Sequence, residues 1–183
     1  MSKTTFDLVR DWAEARNLIA GATPQAQFVK LIEEISEFSI GIDDHNFDEI
    51  VDGLGDTVVV LTVLSAQLGT DIESCIAVLD EHLDDMNSFG GALCKSQSVS
   101  GLIQTLMNMV GVLATGISKK DQTKVAYGIG AAYRIVEAIS FRFDTRIEDN
   151  YLSSYNVIKD RKGQMIDGVF VKEADLASYG IAS

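Results

Sequence analysis

Apolar residues recur at three- and four-residue intervals along almost the whole chain, which is the pattern of amphipathic helices. The first such stretch runs from Phe6 to Ile19. Gly21 and Pro24 then mark a stop and a restart, because a proline in the first helical position has no intrahelical hydrogen bond to lose. The pattern therefore predicts an all-α protein.

Further helices follow, separated by short segments that contain glycine, asparagine and aspartate. The sequence predicts them over about 24–40, 47–68, 71–87, 101–117, 121–143 and 145–160. A link rich in glycine and serine, 88–100, divides the chain, and a tail with alternating apolar residues, 162–172, is predicted to be extended or hairpin-like. We expect two helical halves, 1–90 and 91–183, packed as one globular unit.

The two halves resemble each other when the sequence is shifted by 75 residues. Nine identities occur between positions 31 and 73 and their counterparts without a gap. Gly53 and Gly55, for example, fall on Gly128 and Gly130. Chance similarity between glycine-containing helices is the alternative, but helix starts and loop glycines coincide as well. The shift therefore predicts an internal duplication, which would make the chain a pseudo-dimer.

Charge is distributed unevenly between these halves. Residues 1–90 contain 4 Lys and Arg against 18 Asp and Glu, whereas residues 91–183 contain 11 against 9. The formal net charge of −12 produces a field that repels nucleic acid polymers, so a nucleic-acid-binding protein is not expected. Under the shift, the acidic residues of the second and third helices fall on neutral or basic ones. One copy is therefore expected to keep an acidic site and the other to be a degenerate, apolar structural partner.

One uncharged segment, Ser96 to Ser118, spans 23 residues and is long enough to cross a bilayer. Its glutamines, asparagine, glycines and serines favour instead a buried helix of a soluble bundle. Two cysteines, Cys75 and Cys94, cannot form a disulfide framework, and the charged N-terminus lacks the apolar run of an export signal. We expect a cytoplasmic protein that binds no membrane.

Carboxylates cluster on the second and third predicted helices. They are Glu33, Glu34, Glu37, Glu49, Asp52 and Asp56. The first three lie about one turn apart, and the last three form a stripe that continues into a strongly apolar run. No lysine or arginine occurs between Lys30 and Lys95. Because facing carboxylates repel each other, the two helices would need a cation between them, and oxygen ligands alone favour Mg²⁺ or Mn²⁺.

Two motifs, Glu33-Glu34-x-x-Glu37 and Leu54-Gly55-Asp56, resemble those of the all-α nucleoside triphosphate pyrophosphohydrolases. These are the MazG-like proteins and their dimeric dUTPase and dCTPase relatives. The resemblance covers Trp12 to Asn87 and, separately, the tail at 155–175. It implies a four-helix-bundle-like MazG fold and Mg²⁺-dependent hydrolysis of (deoxy)nucleoside triphosphates to monophosphate and pyrophosphate. The implied role is nucleotide-pool housecleaning.

By the same resemblance, Glu34, Glu37 and Asp56 match metal ligands, with Asp52 expected as the fourth. The catalytic residues would be Glu33, Glu34, Glu37 and Asp56, and Glu33 would be either a further ligand or the base. A carboxylate in that role orients or deprotonates the water that attacks a phosphorus atom.

One position departs from the family pattern. The family usually has glutamate three residues before the final aspartate, where this chain has Gly53. Asp52, one residue earlier, remains on the same helix face, and Glu49 paired with Asp52 is the other register. The departure keeps a second hypothesis open, a catalytically weak or inactive relative that binds nucleotides or acts as a structural partner. A third is an acidic helical interaction protein that binds no nucleotide.

A triphosphate substrate also needs positive side chains around its oxygens. The expected substrate-binding residues are Lys30, Asn87, Lys159, Arg161, Lys162 and Lys172. Asn87 is included through the resemblance, and most of the others lie in the basic tail. We therefore expect the second half to cover the acidic first half, with the site between them. Trp12 is expected in the core or at the rim of the site. The sequence leaves two alternatives open for assembly, a pseudo-dimeric chain alone or a homodimer of such chains.

Overall fold

Helices account for almost all of the chain that the structure describes, and the all-α prediction is confirmed there. The computed structural model describes residues 2–83 and 98–180. The helices are α1 (Thr5–Ala15), α2 (Leu18–Gly21), α3 (Pro24–Asp43), α4 (Phe47–Gln67), α5 (Ile72–Leu83), α6 (Val99–Lys119), α7 (Gln122–Arg142) and α8 (Ile147–Ile158). A hairpin of β1 (Gly163–Ile166) and β2 (Val169–Lys172) follows, and then a short 3₁₀ helix (Glu173–Tyr179).

Side-chain caps fix where the long helices begin. The Thr23 hydroxyl accepts a hydrogen bond from a backbone N–H in the first turn of α3, and Pro24 occupies the start of that helix. Asn46 caps α4 in the same way. The N-terminal stretch differs from the prediction of one helix over 6–19. It is interrupted at Asn17, whose φ of 56° ends α1 and starts α2.

The core is organised around α4. Its side chains are buried almost without interruption from Leu54 to Ser65, because α3 packs on one side and α8 on another, and α7 and α1 also contact it. Burial on every side explains why the apolar run of this helix has no helical periodicity. Asp52 and Asp56 lie where the helix passes from the surface into the core.

The helices of the two halves correspond at the 75-residue shift. α4 and α7 match at both ends, and α5 and α8 begin at corresponding positions, Ile72 and Ile147. α3 and α6 both begin after a hydroxyl cap, Thr23 in one and Ser98 in the other. The last helix of each half packs on the middle helix of the other half, α5 on α7 and α8 on α4. The described halves are therefore interlocked.

Glycines at corresponding positions allow the same close approaches. A Cβ atom on Gly53 would lie 2.9 Å from the backbone N of Phe38, and one on Gly128 would lie 3.0 Å from the backbone N of Leu113. Real Cβ atoms do not approach that closely, so each position needs glycine for its helix pair to pack. Glycine at position 53, where the resemblance leads us to expect glutamate, therefore has a packing reason, because a glutamate side chain there would collide with α3.

The contacts between the two halves are reciprocal. A Cβ atom on Gly55 of α4 would lie 2.5 Å from the carbonyl oxygen of Asn150 in α8. One on Gly130 of α7 would lie 2.3 Å from the carbonyl oxygen of Cys75 in α5. Each middle helix thus accepts the last helix of the other half through one glycine, and the two crossings are related by the same shift.

The substitution Gly53→Ala is expected to destabilise the protein by about 1–3 kcal/mol, because the new methyl group overpacks the crossing of α3 and α4. Gly111→Ala is the matched control. Gly111 lies within α6 with no atom within 4 Å of an added Cβ, so alanine there should stabilise by about 0.5–1 kcal/mol. Urea denaturation of both variants measures the difference, and equal effects would show that the close crossing contributes nothing.

α6 carries the uncharged segment of the sequence. By length and composition alone it is the helix, among the described residues, that could cross a membrane, with a mean hydropathy of 1.3 and 28% of that window buried. One stripe of it packs onto α7, and this stripe contains Leu102, Leu106 and Leu113. The prediction of a buried helix holds for that stripe, whereas Met107 on another face is 42% exposed.

The tail forms the hairpin that its alternating residues predict. β1 and β2 pair antiparallel with Gly163 opposite Lys172. The two turn residues, Asp167 and Gly168, both have positive φ, 48° and 82°, as a two-residue type I′ turn requires. The hairpin follows α8 directly, and its second strand reaches the cavity that we describe next.

Candidate functional site

A cavity of about 390 Å³ lies along α3 and α4, where the acidic residues of the sequence meet. Its charged lining residues are Lys30, Glu33, Glu34, Glu37, Asp52, Asp56, Arg161 and Lys172. The predicted ligands and bases therefore face one space, together with three of the predicted phosphate-binding residues. α1, α2 and the C-terminal tail supply the remaining walls.

The cavity has an acidic end and an apolar end. α3 and α4 run antiparallel, since Gly41 next to the connection lies against Ile50 and Phe38 lies against Gly53. Glu37 and Asp52 therefore lie near the connection. At the far end, the walls are small or apolar and include Leu18, Ala22, Ala26, Val60 and Val63. From Ala26 to Glu37, α3 spans about 16 Å, so a ligand of that length could contact both ends.

Glu34 is the most buried carboxylate of the cavity, with 6% of its surface exposed. Its Oε1 forms an ion pair with Lys30 Nζ at 3.2 Å, whereas its buried Oε2 has no hydrogen-bond partner among the described residues. Burial raises the pKa of Glu34 to about 7, and the nearby Asp56 and Glu37 carboxylates act in the same direction against Lys30. A buried oxygen without a partner costs stability, so this atom is suited to an incoming ligand.

Asp56 faces Glu34 from the opposite helix. Its burial raises the pKa of the carboxyl group, and repulsion from Asp52 and Glu37 adds to that shift. The neighbouring Ser154 hydroxyl of α8 and the charge of Arg161 oppose it. Two buried acidic groups with raised pKa values in one cleft are a common feature of functional sites.

The donor set fits a hard divalent cation in its chemistry. Every candidate ligand is a carboxylate, and Glu34 contributes a buried oxygen that no protein group binds. Among residues 2–83 and 98–180, however, no three acidic, histidine or cysteine side chains are arranged as a ready-made metal site. Ligation would therefore require side-chain rotations of Glu37, Asp52 or Asp56 toward Glu34.

The predicted cationic residues separate into two groups. Lys30, Arg161 and Lys172 line the cavity. Lys159 and Lys162 do not, because Lys159 Nζ is bound to a side chain of its own helix and Lys162 lines a different hollow beside the hairpin. Three of the five predicted cationic residues therefore line the cavity with the carboxylates, and Arg161 also borders the hollow that Lys162 lines. Asn87 lies outside the described residues.

The structure also locates Asp52, Glu49 and Trp12 relative to the cavity. Asp52 lines the cavity, whereas Glu49 lines a shallow hollow on its outer side. Of the two registers considered for the fourth ligand, Asp52 thus shares the cavity with Glu34, and it also borders the hollow that Glu49 lines. Trp12 is half-buried at the rim, and its indole N–H is bound to the carbonyl of Ile158. The expectation that it lies in the core or at the rim is confirmed.

Sequence reasoning missed Gln27 and Arg16. Gln27 lies one turn before Lys30 on the same face of α3 and lines the cavity, and helical spacing alone could have identified it. Arg16 binds carbonyl groups of the C-terminal tail and stacks over the ring of Trp12 at 5.1 Å. Its spacing of four residues from Trp12 is compatible with stacking, but nothing in the sequence identifies the tail as its partner.

Comparison with known proteins adds little information about this site. No protein-family model and no solved structure matches the chain. A stretch of 59 residues, 32% of this chain, is 44% identical to the uncharacterized 18.2 kDa protein in the rep-hol intergenic region of Haemophilus phage HP1 (strain HP1c1). The match covers 36% of that protein, and its name assigns it no function.

Without metal, the protein is expected to lose stability as pH rises through the window from about 4.5 to 7. The folded state binds a proton on Glu34 more tightly than the unfolded chain does, because its pKa is raised to about 7 from 4.5. The linked loss is of the order of 3 kcal/mol. Urea denaturation from pH 4.5 to 8, in chelator, measures it. Glu34→Gln should flatten the profile, and an unchanged slope in this variant would contradict the assignment.

Proposed function

We propose that this protein hydrolyses (deoxy)nucleoside triphosphates to monophosphate and pyrophosphate with the aid of Mg²⁺. One observation carries the proposal: a single cavity combines five carboxylates, three cationic side chains and an apolar end. A triphosphate with its metal ion matches the charged part, and a nucleobase matches the apolar part. The resemblance of the acidic motifs to those of the MazG-like pyrophosphohydrolases supports the same assignment.

The residues that would hold Mg²⁺ are Glu34, Glu37, Asp52 and Asp56. When bound, the ion would supply the positive charge that stabilises the phosphoryl oxygens in the transition state. The raised pKa values of Glu34 and Asp56 come first from burial and then from crowding of negative charge, and the ion would relieve the crowding. In the absence of metal, the ion pair of Lys30 with Glu34 compensates part of this charge.

The protein's own groups would carry the remaining steps. Glu33 Oε2 is bound to Lys30 Nζ at 2.9 Å, which leaves Oε1 to accept the proton of the attacking water. Arg161 and Lys172 would bind phosphate oxygens from the side of the tail. The apolar end would take the base, with the Gln27 amide able to bond its polar edge.

We also propose that the chain arose by internal duplication and has a MazG-like fold. Residues 1–90 would form the acidic catalytic half, and residues 91–183 would form the degenerate half. The matched helix ends and the reciprocal glycine contacts support duplication. Such a chain would hold one site, would act in the cytoplasm, and would bind neither nucleic acid polymers nor membranes. Association into homodimers belongs to the same proposal.

The test is turnover of a panel of ribonucleoside and deoxynucleoside triphosphates with Mg²⁺, with the products separated by ion exchange. Monophosphate plus pyrophosphate, absent with the Glu37→Gln variant, is the expected result. Diphosphate plus phosphate would indicate a different hydrolase and would overturn the proposal. The panel also identifies the preferred base and sugar.

A catalytically inactive nucleotide-binding protein is the second candidate. The observation that favours it is the combination of Gly53, which leaves no room for a further carboxylate, with the lack of a preformed ligand group in the described part of the chain. It predicts Mg²⁺-dependent nucleotide binding by calorimetry without any product. The acidic interaction protein predicts neither binding nor turnover.

A further inference from the structure

Trp12 of α1 and Arg16, the residue after the end of α1, hold the segment that leads from α8 into the hairpin. Trp12 Nε1 donates a hydrogen bond to the carbonyl of Ile158 at 2.8 Å. Arg16 Nη2 donates to the carbonyl of Lys159, and its Nε donates to the carbonyl of Arg161, both at 2.8 Å. The last carbonyls of a helix have no partner within the helix, so α1 satisfies groups that α8 leaves free. A cation there also interacts favourably with the helix dipole.

The segment so held includes Arg161, whose side chain lines the acidic cavity. Its charge lowers the pKa of Asp56, so the guanidinium is electrostatically close to the carboxylates. Within residues 2–83 and 98–180, however, no carboxylate lies within ion-pair distance of Arg161. Arg161 lines both the acidic cavity and the adjacent hollow beside the hairpin, and in the described chain no neighbouring acid neutralises it.

We propose that Arg16 is a positioning residue for phosphate binding: by fixing the carbonyl groups on either side of residue 160, it keeps Arg161 directed at the phosphates of the substrate. This inference rests on the proposed function for the identity of the ligand. Arg16 itself does not line the cavity, so it acts through Arg161 and not by contact with the substrate. The Trp12 ring supports the Arg16 guanidinium by stacking against it.

The arrangement requires an arginine. The planar guanidinium reaches two carbonyl oxygens at once, whereas the single ammonium group of a lysine cannot reproduce that geometry. Arg16 is half-buried, and this burial lowers its pKa, whereas the charge of Asp160 acts in the opposite direction. In the described chain, Arg16 has no carboxylate partner at ion-pair distance, and its guanidinium is held by carbonyl oxygens. Both features distinguish it from an ordinary surface arginine.

The kinetic test compares Arg16→Gln, Arg16→Lys, Arg161→Gln and the double variant Arg16→Gln with Arg161→Gln. Arg16→Gln should raise KM for the triphosphate about tenfold or more, with kcat nearly unchanged. Arg16→Lys should recover little of this loss. The double variant should be no worse than Arg161→Gln alone, because the two residues act as a unit. Additive losses, a fall in kcat with KM unchanged, or full recovery by lysine would overturn the inference.

A binding measurement separates this inference from the proposed enzyme activity. Calorimetry with Mg²⁺ and inorganic tripolyphosphate requires neither a base nor turnover. Weaker binding in Arg16→Gln, again without further loss in the double variant, would support the positioning role even if no nucleotide were hydrolysed. Equal binding by wild type and Arg16→Gln, or no binding by wild type, would overturn it.

The folding of the variants can be followed in the same samples. Trp12 is the sole tryptophan of the chain, so its emission reports directly on the α1–α8 contact. Urea denaturation should give similar midpoints for wild type and Arg16→Lys if the loss of affinity is local. If the midpoint shifted so far that Arg16→Lys were unfolded under assay conditions, the loss of affinity would result from lower stability. That result would overturn the positioning role.

Discussion

Glu34→Gln should reduce turnover by about 10³-fold or more, and it should also make the metal-free protein more stable. Glutamine keeps the shape of the side chain but removes the charge that burial disfavours, so repulsion from Asp56 and Glu37 disappears. Mg²⁺ would lose its most buried ligand at the same time. Initial rates with a triphosphate and urea denaturation in chelator measure the two effects, which should have opposite signs.

Glu49→Gln is the matched control for that result. Glu49 lies on the next helix, is exposed and lines only the outer hollow, so its loss should leave turnover and stability almost unchanged. A large loss of turnover in Glu49→Gln would mean that the other register supplies the ligand. Full activity of Glu34→Gln would remove the buried carboxylate from the mechanism altogether.

Mg²⁺ should stabilise the folded protein strongly at neutral pH. An ion that binds only the folded state adds about 2.7 kcal/mol at 100 times its Kd, which corresponds to a rise in Tm of about 5–10 °C for a chain of this size. Asp56→Asn should remove most of the gain, because Asp56 faces Glu34 across the cavity. Differential scanning calorimetry with and without Mg²⁺ provides the measurement.

The two remaining hypotheses predict different results for the same experiment. An acidic interaction protein should gain little from Mg²⁺, and the gain should not depend on Asp56. An inactive nucleotide-binding protein should gain as much as the enzyme. A rise in Tm that is equal in wild type and Asp56→Asn would show that the ion binds elsewhere on the acidic surface.

Much of the fold follows from local sequence. Hydroxyl and amide caps such as Thr23 and Asn46 set the helix starts to within a few residues, because capping depends on neighbours along the chain. The turn at Asp167 and Gly168 likewise follows from residues that tolerate positive φ. The carboxylates of α3 and α4 could be predicted to meet, since the short predicted connection, 41–46, makes the two helices antiparallel neighbours.

The rest depends on contacts between distant parts of the chain. Gly53 reads as a departure from a family motif, and only the crossing with Phe38 explains why no side chain fits there. Arg161, Lys162 and Lys159 form one basic cluster in the sequence, yet of these three only Arg161 lines the acidic cavity, and it shares the hollow beside the hairpin with Lys162. The contact of Arg16 with that tail joins residues 145 positions apart, which no local pattern indicates.

The most direct test of the account is the reaction of one deoxynucleoside triphosphate in ¹⁸O-labelled water with Mg²⁺, followed by ³¹P NMR. The account predicts cleavage between the α and β phosphorus atoms, with the label in monophosphate or pyrophosphate and none in free orthophosphate. Labelled orthophosphate, or a triphosphate that remains intact with folded protein, would contradict it.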